Sequence, residues 1–137
     1  MQETIYEKEI SSDPELLPEL EDFIVDLAKK VNLREDKLNS LALSFSEAAS
    51  NSVVHGNKLD KSKKIKIVVK IDPLKMTIII KDQGKGFDIN TVPDPTKPEN
   101  ILKDSGRGIH IMRSFLDKLY YNFTPTGTET ILEISLA

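Results

Sequence analysis

Two stretches in the first half of the chain place apolar residues at helical spacing. In the first stretch, which follows residues 11–14 (Ser-Ser-Asp-Pro), the repeating apolar residues are Leu16, Leu20, Phe23, Ile24, Leu27 and Val31. In the second stretch they are Leu38, Leu41, Ala42, Phe45, Ala49 and Val53. Because residues three and four apart share a helix face, both stretches predict amphipathic helices. The first begins at a capping residue followed by proline, and the second spans about residues 36–54.

Runs rich in β-branched residues predict a sheet around these helices. Residues 4–10 predict a short first strand, and residues 66–72 and 76–82 predict a hairpin through the turn 72–75. A helix is predicted at residues 109–116, followed by strands 118–123 and 130–136 joined by a turn at 125–128. The resulting order, β-α-α-β-β-loop-α-β-β, favours an α/β (α+β) two-layer sandwich. We expect a mixed, mainly antiparallel sheet with helices on one face, in a single domain covering residues 1–137.

Composition narrows the class of protein. The 137 residues are 39% hydrophobic and 30% charged, as is typical of a soluble globular domain. The chain has no cysteine, so it has no disulfide framework and suits a reducing compartment. No apolar run approaches the length that spans a membrane, and a net charge of −3 argues against a broad nucleic-acid surface. We therefore expect a cytoplasmic protein without membrane or direct nucleic-acid contacts.

The second predicted helix carries three polar residues that can serve chemistry. Glu47, Asn51 and His55 are spaced i, i+4 and i+8, which places them along one helix face beside the apolar stripe. A carboxylate and a carboxamide at the edge of a core are costly unless something satisfies them. Taken alone, the stretch also fits a half-exposed helix with solvated polar residues. Gly56 is predicted to be the left-handed residue that follows the helix.

Two glycine turns are candidates for binding phosphate or nucleotide. Residues 84–86 (Gly-Lys-Gly) do not form a dinucleotide fingerprint, because Ile89 stands where the third glycine would be. Nothing in the chain matches the P-loop pattern. Residues 106–108 (Gly-Arg-Gly) precede a predicted helix, whose free N–H groups and dipole attract anions. Either glycine pair alone also fits an inert turn.

Together, these pieces resemble a known superfamily, and the resemblance covers nearly the whole chain. The four motifs, in order, are Glu47-x-x-x-Asn51, Asp82-x-Gly84-x-Gly86, Gly106-x-Gly108 and Gly127-Thr128. They resemble the ATP-binding superfamily of gyrase, Hsp90, sensor histidine kinases and MutL, and more narrowly the stand-alone anti-sigma-factor serine/threonine kinases of bacteria. The resemblance implies a Bergerat-type ATP-binding fold whose ATP lid is the proline-containing segment 89–105.

The resemblance also implies roles for individual residues. Glu47 matches the proposed general base, and Asn51 matches the residue that helps to hold Mg²⁺, an ion that takes few protein ligands. Asp82 matches the aspartate that accepts the adenine amino group. Gly84 and Gly86 match glycines that let the backbone approach the base.

The remaining implied contacts surround the phosphates and the adenine. Gly106 and Gly108 match the glycines that present amides to the phosphates, and Thr128 matches a threonine near the adenine. For Arg107, the resemblance leaves open whether the side chain reaches a phosphate or faces solvent. The full set of implied nucleotide-binding residues outside the catalytic Glu47 is Asn51, His55, Asp82, Gly84, Gly86, Phe87, Lys97, Gly106, Arg107, Gly108, Ile109 and Thr128.

The function implied is that of an ATP- and Mg²⁺-dependent protein serine/threonine kinase acting as an anti-sigma factor. Its partners would be an anti-anti-sigma (STAS-type) protein that it phosphorylates and a sigma factor or similar regulator that it sequesters, with the kinase as a homodimer. His55 and His110 are interpreted as structural histidines rather than phospho-acceptors, since the chain has no dimerisation hairpin to present one. The alternative function is a nucleotide-dependent binding switch that sequesters a regulator without phosphotransfer.

Overall fold

The computed structural model describes residues 3–84 and 118–136, which form five strands and two α-helices. The strands are β1 Thr4–Ser11, β2 Lys64–Ile71, β3 Lys75–Lys81, β4 Lys118–Thr124 and β5 Gly127–Ser135. The helices are α1 Leu17–Lys30, which follows a 3-10 turn Pro14–Leu16, and α2 Glu35–Asn51, which continues into a π-helical turn Ser52–Gly56. Each of these elements was predicted from the sequence, apart from the 3-10 and π-helical turns.

The five strands form one sheet in the order β1-β2-β3-β5-β4, and all four pairings are antiparallel. This arrangement confirms the prediction of a mainly antiparallel sheet. The hairpin between β2 and β3 closes at Asp72, whose backbone N–H donates to the Lys75 carbonyl at 3.0 Å. The Asp72 side chain accepts from the backbone N–H groups of Leu74 at 2.7 Å and Lys75 at 2.9 Å. A short polar side chain that bonds its own turn is a common device for closing a hairpin.

Both helices pack on one face of the sheet, as the predicted two-layer sandwich requires. Alternate residues of the strands enter the core, as a side-chain period of two dictates, whereas Val68 and Ile131 belong to the opposite face. The strand residues in the core include Ile65, Ile67, Val69, Met76, Ile78, Ile80, Leu132 and Ile134, and the helix residues include Leu20, Ile24, Leu27, Leu41 and Phe45. Burying each large apolar side chain stabilises the fold by about 1.5–3 kcal/mol.

The N-terminus of the first helical segment is capped as its sequence predicts. The Asp13 side chain accepts a hydrogen bond from the backbone N–H of Glu15 at 3.0 Å, and Pro14 occupies the first position of the 3-10 turn. The predicted strand and helix bounds differ from the observed ones by a few residues, mostly where a strand continues further along the ladder. Strand β5, for example, already begins at Gly127 because Gly127 and Thr128 pair with the end of β4.

The prediction for Gly56 is wrong. Gly56 lies within the π-helical turn, and it is absent from the described residues with positive φ, which include Lys58 (φ 57°) and Leu59 (φ 62°). The chain therefore turns away from the helix two residues later than expected. A different constraint, the close approach of a second segment, requires glycine at position 56, as the site shows below.

Several predicted features lie outside the described residues, among them the helix at 109–116 and the lid at 89–105. Within the part of the chain that the structure describes, no helix is both long enough and apolar enough to cross a membrane.

Candidate nucleotide site

Asp82 lies directly after β3, at the end of the sheet next to the π-helical turn, and it is 4% exposed. Its Oδ1 accepts hydrogen bonds from the backbone N–H groups of Gly84 at 3.0 Å and Thr128 at 3.2 Å. The backbone N–H of Asp82 donates to the Thr128 carbonyl at 3.0 Å. These three bonds hold the carboxylate between the end of β3 and the start of β5.

The other carboxylate oxygen has no partner within residues 3–84 and 118–136. Asp82 Oδ2 is buried and has no hydrogen-bond partner among the described residues, and the same holds for the buried Thr128 Oγ1. Buried polar atoms are almost always hydrogen-bonded. The hydroxyls of Ser12, Ser44 and Ser52 are also buried without a partner among the described residues, but Asp82 Oδ2 belongs to a carboxylate, for which the absence of a partner costs more. Asp82 and Thr128 are hydrogen-bonded to each other through other atoms. Asp82 Oδ2 can accept from an N–H group of a ligand, and the Thr128 hydroxyl can donate to a ring nitrogen beside it.

The electrostatic environment of this carboxylate is unusual for an aspartate. Burial raises the pKa of Asp82 above its ordinary value, although the hydrogen bonds from the Gly84 and Thr128 amides and the charge of Lys63 act in the opposite direction. Desolvation disfavours the charged form, and it is the largest of these effects. A carboxyl group with a perturbed pKa and one oxygen without a partner is a candidate functional group.

Three glycines enclose Asp82 so closely that no side chain fits at their positions. A Cβ at Gly56 would collide with the Asp82 carboxylate, and a Cβ at Gly84 would collide with the Gly56 carbonyl. At Gly127, whose φ is +158°, a Cβ would collide with the backbone oxygen of Asp82. Glycine is therefore required at position 84 by the approach of two protein segments. That Gly84 also lets the backbone approach the base stays a prediction.

The side chains of Asn57 and Gln83 bond the backbone next to Asp82 and at the start of β2. Neither residue was predicted from the sequence to have a role. The Asn57 side chain accepts from the Gln83 backbone N–H at 2.8 Å and donates to the Lys64 carbonyl at 3.1 Å. The Gln83 side chain accepts from the Lys64 backbone N–H at 2.6 Å. The only signal in the sequence was that Asn57 follows the Glu47–Gly56 stretch directly, and nothing in that position reveals its distant partners.

Helix α2 brings the remaining described candidates to the same end of the domain. Glu47 and Asn51 lie one turn apart in its α-helical part, and Asn51, the last α-helical residue, is 7% exposed. His55 lies on the π-helical turn, so the predicted single α-helical face applies to Glu47 and Asn51 alone. Short π-helical turns inside helices are frequent at functional sites. The turn leads into Gly56, which contacts both Asp82 and Gly84.

The other predicted nucleotide contacts lie outside the described residues. They are Gly86, Phe87, Lys97, Gly106, Arg107, Gly108 and Ile109. Among residues 3–84 and 118–136, no group of three or more His, Cys, Asp or Glu side chains could hold a metal ion. Mg²⁺ bound together with a nucleotide commonly takes one or two protein oxygens and fills its other positions with phosphates and water, so the Asn51 carboxamide fits such an ion.

The fold and the comparisons with known proteins define the class of this domain. An antiparallel sheet covered on one face by two helices is the α/β arrangement of an ATPase domain. Residues 10–134 match the family described as histidine kinase-like ATPase domain. Since the match covers most of the chain, the protein belongs to this family.

Two known proteins are similar to this chain. One is the serine-protein kinase RsbW of Bacillus licheniformis, 33% identical over 64 residues, which are 47% of this chain and 40% of the relative. The other is a solved structure, the histidine kinase domain from the blue-light activated histidine kinase of Erythrobacter litoralis EL346. It has a TM-score of 0.57 and 16% identity, and the alignment covers 93% of this chain and 62% of that chain. At this identity, the structural similarity bears on the fold alone.

Proposed function

We propose that this protein is an ATP- and Mg²⁺-dependent protein serine/threonine kinase that acts as an anti-sigma factor. The observation that carries the proposal is that Asp82 Oδ2 and Thr128 Oγ1, at the ends of the neighbouring strands β3 and β5, are buried and have no hydrogen-bond partner among the described residues. Membership of the ATPase family and the similarity to a serine-protein kinase support it.

The two unpartnered atoms suit adenine better than guanine. The 6-amino group of adenine donates to an acceptor such as Asp82 Oδ2, and the neighbouring ring nitrogen accepts from a hydroxyl such as that of Thr128. Guanine would present a carbonyl oxygen to the carboxylate, leaving two acceptors opposed. A site built to bond an N–H group rejects an analogue that lacks it, since its own buried polar atoms then stay unpaired.

The second helix provides the groups for phosphoryl transfer. Asn51 would hold Mg²⁺ through its side-chain oxygen, and Glu47 would accept the proton of the attacking hydroxyl as general base. When bound, Mg²⁺-ATP supplies the phosphoryl group and neutralises the charge that develops during transfer. The chain's own contribution is therefore to position the nucleotide and to receive one proton.

The partners proposed follow from the similarity to the serine-protein kinase. The phosphorylated partner would be a small anti-anti-sigma protein of STAS type, and the sequestered partner a sigma factor or similar regulator. The kinase itself would be a homodimer formed by the exposed faces of α1 and α2. Incubation with labelled ATP and anti-anti-sigma candidates encoded beside it tests the proposal, because transfer to a serine or threonine of a candidate is the expected result. A binding switch without phosphotransfer is the alternative.

The first prediction concerns the adenine contact. In Asp82→Asn, the side-chain oxygen can still accept from the Gly84 and Thr128 amides, so the amide nitrogen takes the position of Oδ2. It then opposes the adenine amino group, and ATP affinity is expected to fall about tenfold or more, the equivalent of about 1–3 kcal/mol. Calorimetry with ATP and GTP measures the effect. Equal affinity of the parent for both nucleotides, or unchanged affinity of the variant for ATP, would remove Asp82 from an adenine site.

The same substitution has a pH-dependent effect on stability. Because the pKa of Asp82 in the folded protein lies above its ordinary value of 3.8, ionisation of this carboxyl costs stability as the pH rises from that value to the raised pKa. Asparagine cannot ionise. The free energy of unfolding of Asp82→Asn minus that of the parent is therefore expected to increase with pH through this window and then level off. Urea unfolding of both proteins across the acidic range measures it, and a difference that decreases with pH would contradict the assignment.

The acidic side of α1 is expected to help in recognising a partner. Glu19 and Asp22 are exposed, and charges at the rim of an interface act mainly on the association rate. Charge reversal to lysine at both positions should slow association with a cognate sigma factor and weaken its salt dependence. The matched control is the double reversal Glu7→Lys with Glu9→Lys, since both residues are exposed and lie on the face of the sheet opposite the helices. If the α1 variant and the control variant associate at the same rate, the acidic side of α1 has no role in recognising the partner.

A further inference from the structure

Asn57 joins three segments at the edge of the candidate site. It is fully buried, with 0% exposure, and its backbone N–H donates to the Ser52 carbonyl at 2.8 Å, within the π-helical turn. Its side chain reaches forward to the Lys64 carbonyl at the start of β2 and to the Gln83 backbone N–H after β3. The Asn57 carboxamide therefore uses both its oxygen and its nitrogen on backbone groups far away in sequence.

The bond from the Gln83 N–H to the Asn57 side chain restrains Asp82, the residue proposed to bind the adenine. The Gln83 N–H and the Asp82 carbonyl belong to one planar peptide unit, so a bond to the N–H fixes the orientation of the whole plane. On its other side, the same peptide lies against Gly127, where a Cβ would collide with the Asp82 backbone oxygen. The Asp82–Gln83 peptide is thus held from both sides, one residue before the Gly84 amide that bonds Asp82 Oδ1.

Gln83 adds a second attachment between the same segments. Although its side chain is exposed, its Oε1 accepts from the Lys64 backbone N–H at 2.6 Å. Lys64 therefore gives its carbonyl to Asn57 and its N–H to Gln83. These two side chains continue the contact between β2 and β3 past their last ladder pair, Lys66 with Lys81, and reach the segment that carries Asp82.

We propose that Asn57 and Gln83 are specificity-positioning residues for the nucleobase. By fixing the Asp82–Gln83 peptide, they keep Asp82 Oδ2 directed at a 6-amino group, and they thereby set the preference for a 6-amino purine over a 6-oxo purine. The inference rests on the proposed function, since it requires Asp82 to bind adenine. Neither residue touches the nucleotide in this account. Each acts through Asp82.

The test compares the affinities for ATP and ITP. Their bases differ in the 6-substituent opposite Asp82 and in the adjacent ring nitrogen, which accepts a hydrogen bond in ATP and carries a hydrogen in ITP. A variant that is partly unfolded loses affinity for both nucleotides by the same factor, so the ratio of the two affinities is unchanged. Loss of positioning weakens the contacts that distinguish the two bases, chiefly that of Asp82 with the 6-amino group, and therefore reduces the ratio. The ratio therefore separates a positioning role from a merely structural one.

The test uses three variants of the two residues and one control variant. Gln83→Ala removes the exposed attachment to Lys64, and Gln83→Glu keeps an acceptor for the Lys64 N–H. Asn57→Asp keeps the acceptor for Gln83 but sets an oxygen against the Lys64 carbonyl. The matched control is Asp72→Ala, which removes a side-chain closure of backbone N–H groups at the opposite end of the same hairpin.

We expect the preference for ATP to fall about threefold to tenfold in Gln83→Ala and Asn57→Asp, in line with the loss of one hydrogen bond. The ratio should be restored in Gln83→Glu and unchanged in Asp72→Ala. If Asn57→Asp does not fold, the two Gln83 variants decide the matter. A parental ratio in Gln83→Ala would overturn the inference and leave the adenine site standing. A parent that binds ATP and ITP equally, or neither, would overturn the proposed adenine site itself.

Discussion

Replacing Glu47 by alanine is expected to slow phosphoryl transfer to the partner by about a hundredfold to ten-thousandfold, the usual contribution of a general base. ATP affinity should stay within a few-fold of the parental value, because Asp82 and Thr128, the residues proposed to bind the adenine, lie on other elements. The role of Glu47 as base follows from its place on the helix. It lies one α-helical turn before Asn51, so the proposed base and the proposed magnesium ligand share a face.

Two further variants make this result interpretable. Glu47→Gln keeps the size of the side chain without its basicity, so it should be as slow as Glu47→Ala. Asn51→Ala should weaken nucleotide binding in the presence of Mg²⁺, whereas Glu47→Ala should not. Single-turnover transfer rates measured beside nucleotide affinities give both quantities. Transfer at the parental rate in Glu47→Ala would show that Glu47 is not the general base.

A single methyl group at position 84 is expected to damage both the fold and the site. In Gly84→Ala, the new Cβ would collide with the carbonyl oxygen and carbon of Gly56. Both are backbone atoms, so neither can rotate away. Inserting a methyl group into such packing typically costs about 1–3 kcal/mol. The loop must also shift away from Asp82, whose Oδ1 then loses the Gly84 amide, and ATP affinity should fall about tenfold or more.

Urea unfolding and calorimetry of Gly84→Ala measure the two effects separately. We expect a lower denaturant midpoint with an unchanged slope, since the defect is local. Gly56→Ala is the matched variant from the other side of the contact, because its Cβ would collide with the Asp82 carboxylate itself. Parental stability in both variants would mean that the two segments do not approach each other as closely as described.

The regular elements of the fold could be predicted from the sequence because their periodicity is local. The apolar spacing around Leu20 and Ile24 identified α1, and the Asp-Pro turn after β2 identified the hairpin. The order of strands in the sheet does not follow from such patterns. Strand β1, for example, pairs with β2, although two helices separate them in sequence. No local pattern in either strand predicts this pairing.

The site shows the same division between local and distant causes. Asp82 and Thr128 were identified through the resemblance to a family, while the contact between them depends on two strands 46 residues apart in sequence. The π-helical turn has no local signal, since nothing in Ser52–Gly56 requires bonds five residues apart. Gly56 was predicted to adopt a left-handed conformation, but the reason for glycine there is the Asp82 carboxylate, 26 residues further along the chain. Asn57 escaped notice because its partners are 7 and 26 residues away.

The central claim, that this ATPase-type domain is a protein kinase, is tested most directly by transfer of a labelled γ-phosphate. The protein is mixed with labelled Mg²⁺-ATP and each small STAS-type protein encoded beside it, and the phosphorylated residue is identified by mass spectrometry. We expect a phosphoserine or phosphothreonine on one candidate, formed by the parent and lost in Glu47→Ala. ATP binding by the parent without transfer to any of these candidates would contradict the proposed kinase activity and favour a nucleotide-dependent binding switch.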